Sequence, residues 1–143
     1  MTDLYNTDII ALAADIAHIG ALEAPQGTAR KVSKLCGSWV EVDIEMREGH
    51  VTDFAIRIEA CALGQASAGV LSQNIIGASV DEICSARDAL FAMLKDAGPA
   101  PKGRFAGLSA LTEVANYPAR HISTLLAFDA ALAAIADAKC ETR

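Results

Sequence analysis

Between Asp8 and Ile19 the apolar residues Ile9, Leu12, Ala13, Ile16 and Ala17 recur at helical spacing, and Gly20 supplies a stop. An amphipathic N-terminal helix is expected there. After the linker GALEAPQG, the segment TARKVSKL is compatible with a short edge strand despite its lysines. The pattern then changes period. In WVEVDIEM, Val40, Val42, Ile44 and Met46 alternate with Trp39, Glu41, Asp43 and Glu45; in VTDFAIRIEA, Phe54, Ile56 and Ile58 alternate with Asp53, Arg57 and Glu59. Period two on both sides of REGH predicts a hairpin with one apolar and one charged face, so the sheet is antiparallel and covered on one side by helices.

The helices follow in the chain. CALGQASAGVLSQNIIG is dense in small residues that permit close packing, and Ser79-Val80-Asp81-Glu82 has the form of a capping box opening a helix to about Lys95. DAGPAPKGRFAG reads as a loop and LSALTEVANY as a short helix ended by Pro118. A last helix is expected from about Ser123 to about Ala138, with Leu126, Leu132 and Ile135 among its apolar positions. The fold class predicted is α+β: a small antiparallel sheet of two to three strands covered on one face by helices, with an N-terminal helix and a helical C-terminal half. One domain over residues 1–143 accommodates all of it, without internal repeats.

Composition narrows the partners. The chain is 52% apolar and 21% charged, enough for a core, and its formal charge of -6 argues against nucleic acid or an anionic membrane surface. No run approaches the roughly 18 uninterrupted apolar residues of a spanning helix, and MTDLYNTD lacks a basic leader, so the cytoplasm is the expected compartment. Cys36, Cys61, Cys84 and Cys140 form no C-x-x-C pair and are expected to be thiols there.

Two of these cysteines stand where chemistry is favoured. Cys61 closes a strand and opens a small-residue helix, whose positive end favours a thiolate. Cys36, in LCGSW, precedes Gly37 at the mouth of the hairpin, where glycine allows a tight turn that exposes the sulfur. The plain alternative for each is a buried small apolar residue. In YPARHIS, Pro118 sets a helix entry and Ser123 accepts from its first turn.

Taken together, Cys36-Gly37-Ser38, then Cys61-Ala62-Leu63-Gly64-Gln65-Ala66-Ser67-Ala68, then Pro118-Ala119-Arg120-His121-Ile122-Ser123 resemble the motifs of the U-type iron–sulfur cluster assembly scaffolds, the IscU, SufU and NifU N-terminal family. The likeness covers most of the chain and is nearest to the SufU-like branch, which also carries an extended segment before its P-x-R motif. By this resemblance Cys36 and Cys61 are metal ligands, Ser123 holds the place of the third cysteine and Ser38 that of the aspartate. Two of four ligands are thus exchanged for neutral hydroxyls, which predicts weakened binding of an iron–sulfur cluster or zinc at low occupancy. His121 is an additional candidate ligand, and Arg120 matches a basic residue that tunes the site. Cys84 and Cys140 have no counterpart. Asp129 reads as the polar edge of the last helix.

The resemblance implies a carrier rather than an enzyme, working with a cysteine desulfurase or other iron–sulfur assembly proteins, and it leaves self-association into a homo-oligomer open. The alternative is a metal-free interaction module that regulates a desulfurase, which Ser38 and Ser123 favour. A nucleophilic enzyme built on Cys61 would need a base, and His121 is the histidine the resemblance brings near it.

Overall fold

The computed structural model describes residues 7–34, 37–96 and 98–141. The element order is α1 (Thr7–Ala14), β1 (Gly27–Val32), β2 (Trp39–Arg47), β3 (His50–Glu59), α2 (Ala62–Asn74), α3 (Val80–Asp96), a 3₁₀ helix (Gly103–Asn116), one further 3₁₀ turn (Pro118–Arg120) and α4 (His121–Glu141). The strands form one antiparallel sheet in the order β1-β2-β3. Helix α4 lies across β1 and β2 and is flanked by α2 and α3, while α1 packs on α2. This is the α+β architecture expected from the alternation.

Register explains the core face. Val40, Val42 and Ile44 sit opposite Ile58, Ile56 and Phe54, so the apolar sets of β2 and β3 share one side. The turn between them has positive φ at both Glu48 (55°) and Gly49 (81°), as a two-residue hairpin of right-handed twist requires. On the opposite face Asp43 is buried, against the expectation of a solvated charge. The loop after Gly20 covers it: the Leu22 N–H donates to Asp43 Oδ2 at 3.0 Å, Thr28 Oγ1 to Oδ1 at 2.9 Å, and Arg57 grips both oxygens at 3.0 and 2.8 Å. Burial would raise the Asp43 carboxyl; the Arg57, Leu22 and Thr28 hydrogen bonds outweigh it and hold the carboxyl below the usual aspartate range.

Close approach of backbones sets the layer spacing. A Cβ on Gly27 would collide with the Ala134 carbonyl oxygen and stand 2.6 Å from the Ala138 nitrogen, so β1 rests directly on α4. The facing side of α4 is correspondingly small, with Ala127, Ala130, Ala131, Ala134 and Ala138 all buried.

Three boundaries differ from the sequence expectation. Helix α1 ends at Ala14 rather than Ile19, because its continuation finds other partners: Ser72 Oγ takes the Ala17 N–H at 2.9 Å, and Ile56 bonds the His18 carbonyl and the Gly20 N–H at 3.0 Å each. The expected loop before Leu108 already turns helically at Gly103, with a kink at Phe105 (φ -107°, ψ 27°), and Phe105, Leu108, Leu111 and Val114 recur every third residue as the buried stripe of this 3₁₀ segment. Helix α4 begins at His121 and runs to Glu141. It is long and apolar enough to span a membrane by length and composition, but most of that stretch is buried within the protein, as befits a core helix. The capping box stands as read: the Glu82 N–H donates to Ser79 Oγ at 3.1 Å and the Ser79 N–H to Glu82 Oε1 at 2.9 Å.

Candidate functional site

Strand β3 ends at Glu59, and two residues later Cys61 is the N-cap of α2, with extended backbone (φ -68°, ψ 171°). Its carbonyl accepts the Gln65 N–H at 2.9 Å, while its side chain makes no capping bond. The sulfur is therefore not spent on capping the helix. It meets Ser123 of α4, with Sγ and Oγ 3.7 Å apart. Ser123 is 2% exposed, and its hydroxyl also donates to the Arg120 carbonyl at 3.3 Å, beside the Thr124 hydroxyl at 2.8 Å. Cys61 itself is half-buried.

Gly64 makes this corner possible. A Cβ there would stand 3.0 Å from the Ser123 carbonyl oxygen and 3.0 Å from the Ala60 side chain, so the first turns of α2 and α4 approach as closely as they do because position 64 has none. In the sequence Gly64 is one small position among many.

The other candidates are distributed unequally. Trp39 pairs with Glu59, so Ser38 lies just beyond the end of β2 at the same end of the sheet as Cys61, and it is buried. A turn presents it: the Ser33 N–H donates to the Ser38 carbonyl and the Gly37 N–H to the Ser33 carbonyl, both at 2.8 Å, with Gly37 at φ 76°. Cys36 lies outside the described residues. His121 is buried and turned onto the preceding 3₁₀ helix, its Nε2 donating to the Val114 carbonyl at 3.0 Å; its Nδ1 is buried with no hydrogen-bond partner among the described residues. The Arg120 guanidinium has no hydrogen-bond or ion-pair partner among them either.

Cys84 is half-buried on α3 and is a free thiol, as is Cys61. Asp129 is paired with Arg87 at 2.8 Å, which ties α4 to α3. A groove of about 550 Å³ between α3 and residues 99–105, lined by Asp81, Glu82, Ala89, Pro101, Lys102 and Phe105 among others, contains none of the candidate residues.

Fold and corner together define a small α+β protein that presents a thiol at one end of a three-stranded sheet, against the first turn of its central helix. Over residues 4–124 the chain matches the NifU-like N terminal domain, and it belongs to that family of U-type scaffolds. It superposes on the crystal structure of a nitrogen-fixing NifU-like protein (N-terminal) from Brucella abortus with a TM-score of 0.95 at 50% identity, covering 97% of this chain and 96% of that one. A putative scaffold protein for the SUF system from Fervidobacterium islandicum shares the fold, with a TM-score of 0.81 at 20% identity over 89% of this chain and 93% of that one. The iron–sulfur cluster assembly scaffold protein IscU of Thermotoga maritima is 28% identical over 93 residues, which span 65% of each chain.

Proposed function

We propose that the chain is one scaffold-like domain over residues 1–143 that carries iron, zinc or sulfur as cargo for iron–sulfur cluster assembly, at a pocket formed by Cys36, Cys61 and the Arg120–Ser123 segment. The observation that carries this reading is the 3.7 Å between Cys61 Sγ and Ser123 Oγ. A tetrahedral ion with metal–sulfur bonds of about 2.3 Å has its ligands about 3.8 Å apart, so the corner has the spacing of one edge of such a site.

The donor chemistry is weaker than the spacing. Ser123 and Ser38 are neutral hydroxyls where soft or anionic ligands bind best, and no group of three or more His, Cys, Asp or Glu side chains gathers among the described residues. Cargo is therefore held loosely. In this reading the Cys61 thiol also takes the outer sulfur of a desulfurase's cysteine persulfide, whose own cysteine leaves as the thiol, Arg120 supplies a cation on the turn before Ser123, and His121 acts as a strut, because its Nε2 is already spent on Val114.

Anaerobic incubation of the full chain with iron and sulfide tests this directly. Substoichiometric visible absorbance, lost on gel filtration and abolished in Cys61→Ala, is the expected result. One stable cluster per chain that survives the column overturns the weakened site. The second reading, a metal-free module that regulates a desulfurase, is favoured by the hydrogen bond that occupies Ser123 with Arg120. It predicts unchanged desulfurase binding by Cys61→Ala and no metal in either protein.

A further inference from the structure

Strand β1 leaves one edge of the sheet without a neighbour. The order β1-β2-β3 puts it outermost, and the bond from the Ser33 N–H to the Ser38 carbonyl fixes which of its residues face β2. Counting back in twos, Lys31, Ala29 and Gly27 bond inward, so the N–H and carbonyl of Arg30 and Val32 point away from the sheet. Thr28 is in the same phase, and its N–H leaves the sheet for Asp137 Oδ2 of α4 at 3.0 Å. The N–H groups of Arg30 and Val32 have no such acceptor among the described residues. The opposite edge differs, because β3 is bridged by Ile19 at Ile56 and by Ser79 at His50.

The side chains define what the open edge takes. Arg30, Lys31 and Lys34 are exposed, and from Ala24 to Val40 the chain holds these three cations and no aspartate or glutamate, although its formal charge is -6. No ion pair engages them among the described residues. The Arg30 guanidinium lies 4.2 Å from the centre of the Trp39 ring, which holds it beside the edge, and Val32, paired with Trp39, is 53% exposed. A second copy is a poor occupant, because edge-to-edge pairing brings two sets of Arg30, Lys31 and Lys34 together. An acidic strand meets no such repulsion.

We infer that β1 is a docking edge for an extended acidic segment of a partner protein, which adds a fourth strand to the sheet. Residues directly opposite share a face, so the segment that fits sets an apolar residue against Val32 and acidic residues against Lys31 and Arg30, in that order. Charge supplies encounter and selectivity, and main-chain bonds to Arg30 and Val32 supply the hold. The inference goes beyond the proposed function: neither metal nor sulfur at Cys61 enters it.

The probe is a fluorescent peptide in which valine and two glutamates are flanked on each side by threonines. It is added to the full chain without metal, with binding read by anisotropy and backbone amide exchange by NMR. Saturable binding is expected, and at a peptide concentration of ten times Kd the Arg30 and Val32 amides exchange about tenfold more slowly. Methylating the backbone nitrogens of the valine and both glutamates keeps the charges, removes the donors and weakens binding at least about tenfold. Arg30→Glu with Lys31→Glu abolishes binding of this peptide and confers binding of its lysine-for-glutamate counterpart. Val32→Pro removes one outward donor at an edge position that tolerates proline; it weakens binding while the circular dichroism stays unchanged.

No saturable binding at low ionic strength overturns the inference. Equal binding of the methylated peptide overturns strand addition in favour of bare charge attraction. Unslowed exchange at Arg30 and Val32 in a saturated complex overturns the edge as its place. Tighter binding of a single-stranded oligonucleotide than of the peptide, or a doubled mass without peptide that is lost in Val32→Pro, overturns the acidic segment as the occupant.

Discussion

Replacing Ser123 by Cys converts the geometry of the corner into a test of its ancestry as a metal site. The serine oxygen already stands 3.7 Å from Cys61 Sγ, and a carbon–sulfur bond is only about 0.4 Å longer than carbon–oxygen, so a small rotation keeps the new sulfur near the ~3.8 Å that a tetrahedral zinc requires. The variant gives up the hydroxyl bond to the Arg120 carbonyl, a loss of about 1 kcal/mol in the metal-free protein. Against this, structural zinc sites of four ligands contribute roughly 10–16 kcal/mol, or about 3 kcal/mol for each ligand. One added thiolate is thus expected to raise zinc affinity about 100-fold.

Adding Ser38→Asp introduces an anion at a buried position, which should lower the stability of the metal-free double variant and enlarge the rise in Tm on adding zinc. Competition against a chromophoric chelator at fixed pH measures the affinity, with Ser123→Ala as control for loss of the hydroxyl alone. A folded Ser123→Cys protein that binds zinc no better than Ser123→Ala would refute the reasoning, because it would mean that Cys61 and position 123 do not face a common point.

Further outcomes follow from the frame. Gly27→Ala should cost about 2–3 kcal/mol in urea unfolding, since its Cβ meets backbone of α4 that cannot step aside. Asp43→Asn should cost about 3 kcal/mol, by weakening a pair of which Asp43 is the buried member. The pH dependence of that pair has a definite sign. The native carboxyl holds its proton less tightly than in the unfolded chain, so its contribution is complete above about pH 4 and is lost as pH falls through the lowered native value. Urea midpoints measured from neutral pH into acid should fall less steeply for Asp43→Asn than for the unaltered protein. Glu48→Asn should stabilise by about 0.5–1 kcal/mol, because asparagine tolerates the left-handed backbone of the hairpin turn better than glutamate; an unchanged thermal midpoint would show that the turn carries no strain.

The hairpin and the capping box were legible because each is written locally, in a period of two or in a pair of residues three apart. The chain around Ala17 was not, because its helical spacing is overridden by acceptors 36 to 55 residues away, at Ile56 and Ser72. The 3₁₀ helix shows a different failure. Phe105, Leu108, Leu111 and Val114 repeat every third residue, a period that a search for 3.6 fits poorly and splits into loop and short helix. Alternation gives the face on which Asp43 stands but not whether a loop will cover that face. At the site, the family resemblance pointed to Cys61 and Ser123, which the fold brings within 3.7 Å of each other. What it left hidden was Gly64, whose importance lies in the atom it lacks, and the direction of His121, which depends on a carbonyl seven residues earlier.

The small-residue face that β1 and α4 share has a consequence for how such a protein diverges over time. Where two backbones touch, as at Gly27 with Ala134 and Ala138, almost any exchange is penalised, and lineages are held to the same few residue types. Positions 38 and 123 lie instead near the starts of β2 and α4, buried but away from the Gly27 contact. Selection on the frame and selection on the chemistry therefore act on separate residues. On the proposed function, single substitutions at those two positions would change how cargo is held while the architecture stays fixed, so shape would outlast the ligand set as a record of descent.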